Sequence, residues 1–241
     1  MARALARGWG EPVLCADPLA ERAQALARET GGSALGSNAE VAERADLVVL
    51  CHKPAQLGDV AAELGQRARA VASILAAVPL AELKAAYPGR PVYRFIPSVP
   101  VEVRQGAVVQ AADGEQDAEL DGEVRALFAR LGGLVVLDDR LVDVAMGLMS
   151  CAPAYVALVA EAQVDAGVRH GLRAEQAAQL VVQTLAGTAE LLRRRGYDTL
   201  AVRREVASPG GITARGLAAL ERAGLRSAFD GALDAVLGER A

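Results

Sequence analysis

Short apolar runs alternate with helix-spaced stretches along the first part of the chain. Residues 12–16 read as a buried strand that stops at Asp17-Pro18, and residues 19–28 place Leu19, Ala23, Leu26 and Ala27 on one helical face. Residues 45–51 form an apolar run with β-branched content and a polar stop at His52-Lys53-Pro54. A helix-like stretch over 57–65 precedes the apolar run 70–75. Another strand is expected over 91–96, cut by Pro97 and Pro100. Residues 106–110 and 133–137 complete the series, with a charged helix between them. Strands alternating with helices of this length predict an α/β fold, a Rossmann-like parallel sheet covered on both faces.

From about residue 141 the strand signal ends. Apolar positions recur at helical spacing over 153–192, interrupted by Gly167 and Gly171, with Pro153 suited to an early helical position. A second helix is expected from 213 to the end, with Leu217, Leu220, Ala228, Leu233, Val236 and Leu237 towards its buried side. The pattern divides the chain into residues 1–140, a truncated dinucleotide-binding domain of the Rossmann-like kind, and 141–241, an all-α dimerisation and substrate domain. The Ala- and Leu-rich tail offers more apolar surface than about 100 residues of helix can hide internally, so a homodimer or higher homo-oligomer through the C-terminal helices is expected.

Composition narrows the function. The 241 residues are 52% apolar but only 3% aromatic, which favours tight helices and buried parallel strands over an aromatic-rich sandwich. A net charge of −4 argues against a nucleic-acid partner. The basic run Arg193-Arg194-Arg195 is followed by Asp198 and Glu205 and reads as a solvated helix end. Cys15, Cys51 and Cys151 are scattered, and His52 and His170 have no obvious co-ligands, so neither disulfides nor a metal site is expected. No signal peptide is evident, and no uninterrupted run of about 18 apolar residues suggests a membrane span. A cytoplasmic protein that acts on a small molecule is the expectation.

One part of the pattern is missing. In a Rossmann-like half the first strand leads into G-x-G-x-x-G, and the pyrophosphate rests on the next helix N-terminus. Here residues 1–8 already look like that helix, and the strand at Val13 is the second. Either the true start lies upstream of Met1, which the abrupt and uncapped helix favours, or the dinucleotide cradle has been lost.

The most informative motif is Ser208-Pro209-Gly210-Gly211-Ile212-Thr213, leading into a helix. Two glycines allow a tight turn and present bare N–H groups where a helix begins, a natural carboxylate site. Thr213 can cap the helix or offer its hydroxyl to a bound nitrogen; the plainer alternative is a Pro-Gly-Gly turn with a threonine cap. This segment resembles the S-P-G-G-T-T segment of pyrroline-5-carboxylate reductases. Asn38 and residues 45–54 are similar to that family's "N…ADVVVLAVKP" stretch. Residues 97–100 sit where it has P-N-T-P, residues 147–155 where it has G-L-S-G-S-G-P-A-Y, and residues 161–172 resemble its "EALADAGVKAGL". The resemblance covers essentially the whole chain.

The resemblance implies hydride transfer from a reduced nicotinamide, NADPH or NADH, to the C=N carbon of 1-pyrroline-5-carboxylate, giving L-proline. It assigns Ser208, Gly210, Gly211 and Thr213 to the substrate, with the Thr213 hydroxyl hydrogen-bonded to the imine nitrogen as the catalytic contact. It carries Asn38, His52, Lys53 and Ala76 to the cofactor cleft, with Lys53 nearest a phosphate or ribose. Lys53 can equally be a strand-end surface lysine, and Asn38 and His52 can be loop residues. Asp17 closes the second strand, where a carboxylate accepts from a free 2′-OH and repels a 2′-phosphate, favouring NAD over NADP; Arg22 and Arg28 pull the other way, and a helix N-terminal acid beside Pro18 is the alternative. The chain departs from the family at Met149-Ser150-Cys151-Ala152, Ser98 and Ile212. These departures leave open a reductase of another cyclic imine, and the missing loop leaves open a non-catalytic dimeric paralogue. Cys151 reads as a buried thiol.

Overall fold

The structure is a computed structural model that describes residues 1–113 and 118–238. Its compact units are residues 1–153 and 154–241.

In the first unit, α1 (Ala2–Trp9) buries Ala4, Leu5, Ala6, Gly8 and Trp9 and ends at Gly10 in the left-handed conformation. The two-residue strands β1 (Leu14–Cys15) and β2 (Ser33–Ala34) pair in parallel around α2 (Ala20–Thr30). Next comes α3 (Asn38–Arg44). Ser37 Oγ accepts from the Glu40 N–H, and the Glu40 side chain accepts in return from the Gly36 N–H, which fixes the helix start.

The main sheet has the order β3-β4-β5-β6-β7: Leu47–Leu50, Ala70–Ser73, Val92–Pro97, Gly106–Ala111 and Gly132–Leu137. Helices α4 (Leu57–Leu64) and α5 (Leu80–Ala86) supply the parallel crossovers among the first three strands, and α6 (Ala118–Ala129) joins β6 to β7 in parallel. The β5–β6 pair is antiparallel, a correction to an all-parallel reading. The connection explains it: between Pro97 and Gly106 there is only the short 3₁₀ turn Val99–Val103, and a parallel crossover needs a dozen residues or more.

Both faces of the sheet are covered. One carries Val71, Val92, Ile96 and Val109 against Leu64 of α4, Leu83 of α5 and Val142 of α7 (Val142–Met149). The other carries Ala72, Tyr93, Phe95 and Val108 against Leu5 and Trp9 of α1 and Phe128 of α6. Phe95 and Phe128 stack with centroids 3.8 Å apart, Trp9 meets Phe128 edge-on, and Trp9 Nε1 donates to the Leu127 carbonyl. With Tyr93 stacked on Phe95, these rings anchor a face otherwise built of small and aliphatic side chains.

The second unit is helical: α8 (Ala152–Arg169), α9 (Ala174–Arg194), α10 (Thr199–Val206), α11 (Ile212–Arg222) and α12 (Leu225–Leu237). The expected single terminal helix is two helices, because Gly224 takes a left-handed conformation between α11 and α12. Its expected buried residues, Leu217, Leu220, Ala228, Leu233, Val236 and Leu237, are half-buried or exposed. Gly167 does not break α8 but sits within it, facing the side chains of Leu172 and Ala177. The arginine run is a solvated helix end: Arg193 and Arg194 pair with Glu190, and Arg195 pairs with Glu205. Contrary to the reading from uninterrupted runs, Asp139–Arg169 is apolar and long enough by composition to cross a membrane, although α7 ends at Met149 and α8 begins at Ala152.

Candidate active site

The first unit gathers one group of the expected residues at the carboxyl ends of β3 and β4. Leu50 pairs with Ser73 at the last rung, so His52 and Lys53 leave β3 beside the point where Ala76 leaves β4. His52 Nδ1 lies 2.8 Å from the Lys53 carbonyl, which assigns the proton to Nδ1 and leaves Nε2 an acceptor. That Nε2 is buried with no partner. Lys53 is exposed, and its ammonium has no partner among the described residues; its N–H donates to Gln56 Oε1 and opens the 3₁₀ turn Pro54–Gln56. Ala76 is exposed, and Ala77 beside it holds φ +63°.

The amino end of α1 lies at the same edge. The Met1 ammonium is near enough to Cys51 to favour its thiolate, but crowding of the sulfur dominates. That desolvation pushes the thiol up to about 12, even though Cys51 as a whole is exposed. The amide groups of a helix start there, the orphaned His52 acceptor and the unpaired Lys53 cation suit a phosphate–ribose chain.

Two other residues are held by their own elements. Asn38 is the first residue of α3, and its side-chain amide donates to Glu63 Oε2 at 2.5 Å, leaving its Oδ1 uncommitted. Asp17 follows β1; its Oδ1 accepts from the Leu19 N–H at 2.9 Å.

The second unit brings Ser208, Gly210, Gly211 and Thr213 together in one turn. Gly210 has φ +70°, Gly211 N–H donates to the Ser208 carbonyl at 3.0 Å, and Gly211 serves as the N-cap of α11 without any side-chain cap. A Cβ on Gly211 would come 3.1 Å from that Ser208 carbonyl. Thr213 is therefore not the cap. It lies in the first turn of α11, exposed, its hydroxyl free of partners among the described residues. The amides of Ile212 and Thr213 also lack partners there, as the first N–H groups of a helix do. Such a turn can grip a carboxylate and present one hydroxyl beside it.

Two features escaped the sequence. Ala77 lies in a plain Ala-Ala-Val-Pro stretch, with no glycine to signal the positive φ. Ser98, buried at the end of β5, uses its Oγ to accept from the Ala107 N–H at 2.9 Å, so it ties the β5–β6 turn together. Among the described residues no group of acidic, histidine and cysteine side chains could hold a metal ion.

The sequence model of the family described as pyrroline-5-carboxylate reductase dimerisation matches residues 139–240, and the one described as NADP oxidoreductase, coenzyme F420-dependent, matches residues 1–77. The pyrroline-5-carboxylate reductase of Thermus thermophilus is 36% identical over 238 residues, spanning 96% of this chain and 88% of its own. That of Synechocystis is 33% identical, spanning 91% and 83%. Among solved structures, 1-pyrroline-5-carboxylate reductase from Streptococcus pyogenes superposes with a TM-score of 0.89 at 26% identity, covering 99% of this chain and 93% of its own. Pyrroline carboxylate reductase from Plasmodium falciparum, solved with NADP bound, gives 0.85 at 25% identity, covering 98% and 91%. With relatives above 30% identity aligned along nearly the whole sequence, this chain belongs to the pyrroline-5-carboxylate reductase family.

Proposed function

We propose that this chain reduces 1-pyrroline-5-carboxylate to L-proline with NADPH or NADH, as a cytoplasmic homodimer or higher homo-oligomer with no nucleic-acid or membrane partner. The observation that carries the reading is the start of α11, where a left-handed Gly210 and the N-cap Gly211, with no side chain capping the helix, leave backbone amides and the Thr213 hydroxyl without partners among the described residues.

In this reading the reduced nicotinamide, when bound, supplies the hydride. The residues of the first unit suited to hold it are His52, Lys53 and Ala76 at the strand ends, with Asn38 and Asp17 towards the adenosine. In the second unit the turn amides, with Ser208 shaping the turn, receive the substrate carboxylate. Helix α11 adds the positive end of its dipole. The Thr213 hydroxyl meets the ring nitrogen and fixes which face of the C=N bond is open, so the protein's contribution is orientation and charge placement. No side chain from Ser208 to Thr213 is an acid near neutral pH, so the nitrogen's proton arrives with the substrate as an iminium or from water.

The test is oxidation of NADPH and of NADH with racemic pyrroline-5-carboxylate, comparing the native chain with Thr213→Val and Thr213→Ser. Loss of the hydroxyl is expected to lower kcat/KM by about 10- to 100-fold, the scale of one hydrogen bond to a reacting group, with serine restoring most of it. No turnover by the native chain with either cofactor, or an unimpaired valine variant, would sink the proposal.

A further inference from the structure

We infer that Asp139, oriented by the buried Arg94, is a positioning residue that holds the β4–α5 loop ready for the dinucleotide. The inference rests on the reading in which Ala76 of that loop faces the cofactor.

The loop runs from Ile74 to Pro79 and is pinned at both ends. At its start the Ile74 N–H donates to the Leu50 carbonyl, and the Leu75 N–H donates to Oγ of the buried Ser73 at 3.2 Å. At its end α5 has Pro79 as N-cap, which offers the first turn no side-chain acceptor. The acceptor comes from 59 residues further along the chain: Asp139 Oδ2 takes the Leu80 N–H at 3.0 Å. Between the two pins Val78 is buried and Ala77 holds φ +63°. Ala76 and Ala77 stay exposed, with N–H groups that have no partner among the described residues. A strained turn persists only where its surroundings over-determine it, and Asp139 is the outer pin.

Asp139 is itself held. Arg94 lies mid-strand in β5; its Nη1 donates to Asp139 Oδ1 at 2.6 Å and its Nη2 to Asp143 Oδ1 at 2.8 Å. Each oxygen of the Asp139 carboxylate therefore has its own donor, one a buried cation and the other the loop. A cation buried in a strand is costly unless paired, and this one directs a carboxylate at the loop. Without that carboxylate the loop relaxes. Binding must then restore the competent conformation, and the apparent affinity falls with the fraction that still populates it.

Calorimetric titration of the full chain with NADPH and with NADH tests the inference apart from turnover. In Asp139→Asn the remaining oxygen stays on the Arg94 cation, and the amide NH2 faces the Leu80 N–H, donor against donor. Affinity for whichever dinucleotide the native chain binds more tightly is expected to fall about tenfold, or about 1.4 kcal/mol. Asp143→Asn loosens the same arginine but leaves the Leu80 N–H its acceptor, so its affinity should stay within about twofold of native. In turnover the Asp139 variant should raise KM for the dinucleotide about tenfold, with kcat within about threefold. Equal losses of affinity in the two variants, or none in Asp139→Asn, would reduce the cluster to a structural joint and overturn the inference. Hydrogen exchange on the native chain needs no variant: the Leu80 amide should be protected before any dinucleotide is added. Protection that arises only on binding would overturn the inference while leaving the cofactor site standing. A native chain that binds neither dinucleotide would remove the dinucleotide reading, and this inference with it.

Discussion

Ala77 illustrates how a single residue can hold strain beside a site. Its φ of +63° lies where an L-residue crowds its own carbonyl, at a cost of about 1–2 kcal/mol. The residue follows β4 directly after Ala76 and precedes Val78, which is buried, so the chain must turn there to lay α5 on the sheet. Ala77→Gly removes the clash and gives back part of the gain in unfolded-chain entropy. The variant should be more stable by about 1 kcal/mol, a rise of about 2–4 °C in Tm for a chain of this size. Thermal unfolding of the two proteins decides the matter, and an unchanged or lower Tm would mean that the surroundings, not the backbone, set this conformation. Nothing in the sequence announces the feature, because the usual marker of a positive φ is a glycine. The opposite holds at residues 210–211, where the glycine pair is visible and the structure gives Gly210 the φ of +70° that the motif implied. What the motif could not decide was the duty of Thr213. The structure removes one alternative: Gly211 is the N-cap, and the threonine hydroxyl has no partner among the described residues.

Among the elements, the buried Arg94 shows how strand and helix are joined. It lies mid-strand in β5, 1% exposed, and its two terminal nitrogens bond Asp139 at 2.6 Å and Asp143 at 2.8 Å, while Nε has no partner. Asp139 also accepts from the Leu80 N–H, so one cluster ties β5, the start of α5 and the entry to α7. Arg94→Leu would leave two aspartates facing each other without their cation. Removing one partner of a buried pair costs about 3–5 kcal/mol, and because both carboxylates keep some exposure the expected loss is near the lower end, about 3 kcal/mol. Urea unfolding should show it as a lower midpoint, with Arg94→Lys recovering part; a loss below about 1 kcal/mol would mean the cluster merely sits on the surface of the joint. The strand positions themselves were largely legible, since buried strands read as unbroken apolar runs. Two elements were not. The strand Ser33–Ala34 has only two residues and a polar start, and the antiparallel β6 depends on a loop length between strands rather than on any side-chain pattern. The same limit applies to α10 and to the break at Gly224, where short helical segments share one continuous periodicity with their neighbours.

For the whole molecule, the second unit presents a problem of burial that one copy does not solve. Helix α8 has no buried residue, and in α9 only Ala177 is buried. Leu180 and Val182 are 60% and 61% exposed, two positions apart and so on nearly opposite sides of the helix. A helix apolar on more than one side needs cover from more than one direction, and exposed apolar area of this extent marks an association surface. The family model for dimerisation falls on this same region. The sequence carried this expectation through composition alone, an Ala- and Leu-rich tail too apolar for its size, whereas which residues stay uncovered follows only from the way five helices leave gaps. A charge placed at Leu180 would have to be desolvated on assembly, at a cost of several kcal/mol per copy. Light scattering on a sizing column should therefore give the native chain a mass of at least two copies, and Leu180→Glu a mass moving to one copy with a lower Tm. Two equal chains meeting about a twofold axis would each carry the substitution, so the effect is doubled at a symmetric interface. A native chain that elutes at the mass of one copy, or a variant that keeps the full oligomer at micromolar concentration, would show that this face is covered in some other way.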